Sequence, residues 1–90
     1  MSVAENGSGY EFPCEIPVKV FGRNEDAFRE AVIAIVKTHF PDFDSADLSW
    51  RLSRQDRYMS LTISLWVEDR ASIDALYTEL SGHETVLMLL

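Results

Sequence analysis

From Tyr58 to Val67 the chain alternates without interruption. Met59, Leu61, Ile63, Leu65 and Val67 are apolar, Ser60, Thr62 and Ser64 between them carry hydroxyls, and Tyr58 and Trp66 place an aromatic near each end of that second face. A period of two sustained over this length implies a β-strand with one buried side. The stretch Ser53 to Val67 is therefore expected to be the central strand of a sheet, and the remaining segments are arranged around it. Its other face is left for solvent, a ligand or a second subunit.

On the N-terminal side, Ile16, Val18 and Val20 alternate with Pro17, Lys19 and Phe21, which predicts a first strand over 13–22. Pro17 is expected to break its pairing near the start. Asn24 is placed to cap a helix over roughly 24–39, Glu25 and Asp26 suit the positive end of its dipole, and Ala27, Phe28, Ala31, Val32, Ile35, Val36 and His39 recur at helical spacing. Burying Phe28, Val32, Ile35 and Val36 contributes about 1.5 to 3 kcal/mol each before entropy is subtracted. Pro41 stops this helix.

Leu48, Trp50 and Leu52 then face one way and Ser49, Arg51 and Ser53 the other, which gives a second half-buried strand, joined to the central one through Arg54, Gln55, Asp56 and Arg57 as a hairpin. Glu68 and Asp69 can cap a second helix bearing Ile73, Leu76, Tyr77 and Leu80 on one face, with Gly82 at its C-terminal cap. A last strand covers Thr85 to Leu90, with Val86, Met88 and Leu90 expected inward and Leu87 and Leu89 outward. The order strand, helix, strand, strand, helix, strand with right-handed crossovers predicts an α+β, ferredoxin-like βαββαβ domain: a four-stranded antiparallel sheet in the order 4-1-3-2 with both helices on one face. The domain is expected over 12–90. Residues 1–11, polar and rich in Gly and Ser, are expected to be a flexible tail.

Composition narrows the functional classes. Fifteen acidic against eight basic side chains in 90 residues give a formal charge of −7, which opposes binding to nucleic acid or an anionic membrane. The first residues lack the basic start and apolar run of a signal peptide, and no stretch has the length of a membrane span, so a cytoplasmic location is expected. Cys14 is the single cysteine, so there is no disulfide framework and no Cys/His metal spacing. Asp42 and Asp44 lack the Gly and distal Glu of a calcium loop. No nucleophile and base are paired, His39 reads as a helix cap or core-rim residue, and neither an enzyme nor a bound cofactor is expected.

The order and spacing of several short segments resemble the YbeD-like family of small uncharacterised bacterial proteins. These are Phe12-Pro13, Val18-Lys19-Val20-Phe21-Gly22, His39-Phe40-Pro41, Ser53 with Tyr58-Met59-Ser60, Leu76-Tyr77 with Leu80, and Val86 with Met88 and Leu90. The resemblance covers 12–90. It implies a ferredoxin-like fold similar to the ACT domains, which bind small effectors and regulate enzymes, and an association of some members with lipoate metabolism. Asp56 stands where the family hairpin usually has Gly, a position that asks for a left-handed backbone. Leu87 stands where a basic residue is common.

Two constellations could carry function. In the expected topology Arg23, Arg54, Arg57 and His83 converge beside Gly22 and Asn24 at one edge of the sheet, a plausible site for an anion or a carboxylate. The plainer reading is that these arginines pair with Glu25, Asp26, Asp56 or Glu84. On the open sheet face, Phe21, Tyr58, Trp66, Leu87 and Leu89 are expected to form an interface. An apolar edge strand is normally covered, and a side-by-side homodimer would cover this one. Phe21, Tyr58 and Trp66 resemble the stacking aromatics of an RNA-recognition domain in location only, since the basic-Gly-aromatic pattern is missing. The expectation is a non-catalytic, dimeric regulatory module that senses a small carboxylate metabolite or docks on an enzyme. The alternative is a protein-interaction domain without a ligand.

Overall fold

Two ten-residue strands, Cys14–Arg23 and Tyr58–Val67, lie side by side in an unbroken antiparallel ladder, buried at every second position from Ile16 to Gly22 in the first and from Met59 to Val67 in the second. The computed structural model describes residues 11–90, so the expected tail over 1–11 falls almost wholly outside the described residues. In chain order the elements are β1 Cys14–Arg23, α1 Asp26–His39, β2 Leu48–Leu52, β3 Tyr58–Val67, α2 Arg70–Ser81 and β4 Val86–Leu89, with single 3-10 turns at Ser45–Asp47 and Arg54–Asp56. The sheet order is β2-β3-β1-β4, all neighbours antiparallel, which is the ferredoxin-like βαββαβ arrangement expected from the sequence.

The core follows from the two periodicities. Ile16, Val18 and Val20 of β1 and Met59, Leu61, Ile63, Leu65 and Val67 of β3 meet Phe28, Val32, Ile35 and Val36 of α1 and Ile73, Leu76 and Leu80 of α2. No polar or charged residue is buried among the described residues, so burial here carries no polar desolvation penalty. His39 Nε2 and Glu79 Oε1, 2.7 Å apart, tie the two helices together at the rim.

Backbone parity explains two features of β1. The Asn24 N–H donates to Arg57 O, and Lys19 and Leu90 exchange both of their backbone bonds, so even residues of β1 bond toward β3 and odd ones toward β4. Pro17 is odd. Its missing N–H would have pointed past Leu90, away from β3, and it stays in register opposite Ser64. The expected break therefore does not occur. The same ladder, reaching one residue beyond β1, claims Asn24, whose side chain donates to Asp56 O at 2.9 Å. The helix starts later than expected, with Glu25 at the N-cap making no side-chain bond.

β4 departs further from expectation. Val20 stands opposite Leu89 and Phe21 opposite Met88, but Gly22 stands opposite Val86, so Leu87 is the extra residue of a β-bulge. A one-residue offset exchanges the two faces of a strand. Val86 and Leu89 consequently pack on the core, whereas Met88 and Leu90 are more than half exposed beside Phe21 and Lys19. Leu89 does not join the open face, and the expected inward set of Val86, Met88 and Leu90 holds only for Val86. On the opposite edge, Trp50 and Leu52 lie across from buried Leu61 and Met59 but are 55% and 36% exposed, because the helix layer stops short of β2.

Asp69 caps α2 as expected, accepting from the Ser72 N–H at 2.8 Å and the Ser72 hydroxyl at 2.9 Å. The Ser72 N–H first, then its hydroxyl, hold the Asp69 carboxyl below its ordinary value of 3.8. Gly82 occupies the C-cap with φ −89° and ψ −4°, a right-handed conformation open to any residue. Gly22 is different: a Cβ there would lie 2.4–2.7 Å from the Phe28 ring.

The two glycines should separate in a melting experiment. Gly22→Ala is expected to cost about 1–3 kcal/mol through the clash with Phe28, whereas Gly82→Ala, whose Cβ would lie 3.5 Å from the Thr78 carbonyl oxygen, should leave the melting temperature unchanged or raise it. Because the Asp69 pKa is depressed in the folded state, its contribution is present above the ordinary carboxyl value and lost as pH falls through the folded one. Thermal melts across this range should show Asp69→Ala less stable than the parent at neutral pH, with the gap closing in acid.

Candidate functional site

The hairpin end of the sheet is where chain segments far apart in sequence are fixed against one another. β1 runs out at Arg23, which stands directly opposite Tyr58, the first residue of β3. Both side chains emerge on the open face, since their neighbours Gly22 and Met59 are buried. The turn before β3 is tight: Gln55 and Asp56 have φ of 69° and 56°, and the Asp56 N–H closes onto Ser53 O. Asp56 thus adopts the left-handed backbone expected at that position. Ser53 makes a second closure, its Oγ accepting from the Tyr58 N–H at 3.0 Å. Asn24, through its backbone bond to Arg57 and its side-chain bond to Asp56, then clamps this turn to the start of α1.

The clamp leaves an open cleft of about 400 Å³ lined by Arg23, Asn24, Glu25, Asp56, Arg57 and Tyr58. Two arginines and two acidic residues thus line one small surface. The carboxylates do not quench the arginines: among the described residues the ion pairs are Arg29 with Asp26, His39 with Glu79 and Arg70 with Asp74, and none involves Arg23, Arg54 or Arg57. The plainer expectation, that the loop arginines pair with neighbouring acids, is therefore not realised.

Three of the expected ligand residues, Arg23, Asn24 and Arg57, come together in this cleft, and three lie outside its wall. Arg54 sits in the turn without lining the cleft. The His83 ring is engaged locally, with Nδ1 2.8 Å from Thr85 Oγ1. Gly22 is buried, and the space its missing side chain leaves belongs to the Phe28 ring, not to an approaching anion. Tyr58, expected at the interface, lines the cleft, and only the β1–β3 register could have placed it beside Arg23. Of the remaining interface residues, Phe21 is half-buried and Trp66 and Leu87 are exposed, while Leu89 is turned inward.

A second cavity, about 300 Å³, lies at the other end of β3 against the loop after α1. Cys14 is half-buried at that end, opposite Val67. Among the described residues no group of three or more His, Cys, Asp or Glu is placed to hold a metal ion. No helix is long and apolar enough to cross a membrane.

Sheet order and helix packing define an α+β protein of the ferredoxin-like class, with a cleft of two arginines and two acidic residues at the hairpin end. The chain belongs to the family described as "Protein of unknown function (DUF493)", whose model matches residues 8–90. It is 42% identical over 80 residues to the UPF0250 protein NE1487 of Nitrosomonas europaea, covering 89% of this chain and 92% of that one. A UPF0250 protein of Chromobacterium violaceum is 35% identical over 81 residues, covering 90% and 91%, and one of Hahella chejuensis is 38% identical over 80 residues, covering 89% and 88%. These are the small bacterial proteins toward which the YbeD-like resemblance pointed.

Proposed function

We propose that this chain is a non-catalytic regulatory module that takes a small carboxylate-bearing metabolite in the cleft of Arg23 and Arg57 and acts on an enzyme as a dimer. The observation that carries the reading is that Arg23 and Arg57 line one cleft and neither makes an ion pair among the described residues, although Glu25 and Asp56 line it too. Arginine presents planar paired donors that match a carboxylate, and Tyr58 adds an aromatic wall for the rest of a small organic acid. The Asn24 clamp preorganises the cleft, which lowers the cost of ordering it on binding. Lipoate and amino acids are the ligand classes to try first, following the likeness to ACT domains.

The dimer is supported by β4. Its outer edge has no strand beside it among the described residues, and Leu87, Met88 and Leu90 are each more than half exposed there. Pairing two such edges side by side makes one continuous sheet and covers these side chains. A second reading, a protein-interaction domain with no small ligand, draws on the exposed Trp66, which lies away from the cleft. Under that reading Trp66→Ala abolishes partner capture and the arginines are neutral.

Backbone amide NMR titration with lipoate, pooled amino acids and short organic acids should shift Arg23, Asn24 and residues 56–58. Arg23→Ala or Arg57→Ala is expected to weaken binding by about tenfold or more with the melting temperature kept. Saturating pools that leave these amides unmoved would reject the carboxylate reading. In sedimentation equilibrium the parent should associate and a Leu87→Lys, Met88→Lys double variant should not. A parent that stays monomeric up to high micromolar concentration would remove the dimer.

A further inference from the structure

Trp50 and Leu52 are exposed apolar side chains on the helix side of the sheet, where the helix layer stops short. Their strand, β2, is also the last on its side of the sheet, with β3 as its bonded neighbour among the described residues. Parity decides which residues face that margin. The Ser53 N–H donates to Tyr58 O, so the odd residues Ser49, Arg51 and Ser53 bond toward β3 and the even ones point their backbone groups outward. Leu48 closes its N–H on Ser45 O. The backbone N–H and C=O groups of Trp50 and Leu52 are left along a margin where the sheet ends, about 7 Å apart at a rise of about 3.4 Å per residue.

These two residues thus present apolar side chains and outward ladder groups together, and the residue between them adds charge. Arg51 emerges on the open face opposite Ser60, with Ser49 and Ser53 beside it on its own strand and Phe21 beyond Ser60. No carboxylate stands among those neighbours, and among the described residues no ion pair involves Arg51. On the helix side Arg29 reaches the same corner. Its Nη1 is 3.9 Å from the sulfur of Met59, the residue opposite Leu52, and its Nη2 is paired with Asp26. Asp47 and Asp56 lie outside the strand, one beyond each end.

We propose that the outer edge of β2 is a docking site for an extended segment of a partner protein with the pattern apolar, acidic, apolar, which adds antiparallel to β2 as a further strand. The two apolar residues stand opposite Leu52 and Trp50, exchange backbone hydrogen bonds with them and cover their side chains on the helix side. The acidic residue between them emerges on the open face beside Arg51. Charge disfavours a second copy as the occupant. Two β2 edges paired about Trp50 would set the two Arg51 side chains diagonal to each other, with serine opposite each and no carboxylate to offset them. The site lies at the opposite margin of the sheet from β4 and shares no residue with the arginine cleft, so it is independent of both.

Hydrogen exchange of the free chain checks the open edge: the Trp50 and Leu52 amides should exchange much faster than those of Ser49 and Arg51 at every protein concentration. The probe is acetyl-Thr-Val-Glu-Val-Thr-amide, titrated into the full chain and followed by backbone amide NMR. Shifts are expected at Trp50, Arg51 and Leu52 and at the Trp50 indole N–H, and the peptide should slow exchange of the Trp50 and Leu52 amides. Replacing its Glu by Lys should weaken binding about fivefold. N-methylating both valines, which keeps the charge and loses the ladder, should weaken it about tenfold or more. Arg51→Gln should remove the preference for Glu over Lys without moving the melting temperature. Slow Trp50 and Leu52 amides in the free chain would overturn the proposal, by showing that the chain covers its own edge or, where the slowing grows with concentration, that a second copy does. No shift at millimolar peptide, or equal binding of the Lys or the N-methylated peptide, would overturn it too.

Discussion

The pairing of β1 with β3 is the constraint on which the other elements depend. It joins residues as distant as Cys14 and Val67 and encloses the first crossover, through α1, together with the β2–β3 hairpin. Once it is made, eight apolar side chains project from one side of a two-stranded ribbon, and each helix has a surface on which to bury its stripe. β2 and β4, five and four residues long, are then added at the margins. They carry most of the exposed apolar surface because they lie outside the helix layer.

Period and punctuation made the fold legible. A strand that alternates over ten residues and helices with an apolar stripe leave few topologies once crossovers are right-handed. The readings that failed share one cause, which is that they turn on backbone partners a sequence does not display. Asn24 has the side chain of a helix cap but is taken by the ladder and the hairpin. Pro17 looks like a strand breaker but lies at a position whose N–H the sheet does not use. Leu89 and Met88 exchange faces because Leu87 is a bulge, and no residue type in that run marks one.

The candidate cleft was legible in its ingredients and not in its membership. That arginines gather at the hairpin end follows from topology alone, but which of them meet depends on how the turn is folded. Gly22 illustrates the limit. A glycine beside a basic loop invites a reading as backbone left bare for a ligand, and here it is bare for Phe28. The cavity at the opposite end of β3 had no signature in the sequence, because its lining is drawn from segments as far apart as residues 39–43 and 64–72.

Pro17 has one more implication, for how copies of this protein can join. β1 runs past its shorter neighbour β4, and Pro17 lies on that margin. Whatever approached β1 there would find no donor at Pro17. Polymers built by strand addition need a receptive edge on both flanks of each subunit. With that flank of its longest ladder interrupted by proline, β1 is a poor template for an added strand there. The proline thereby opposes open-ended growth of the sheet from that margin.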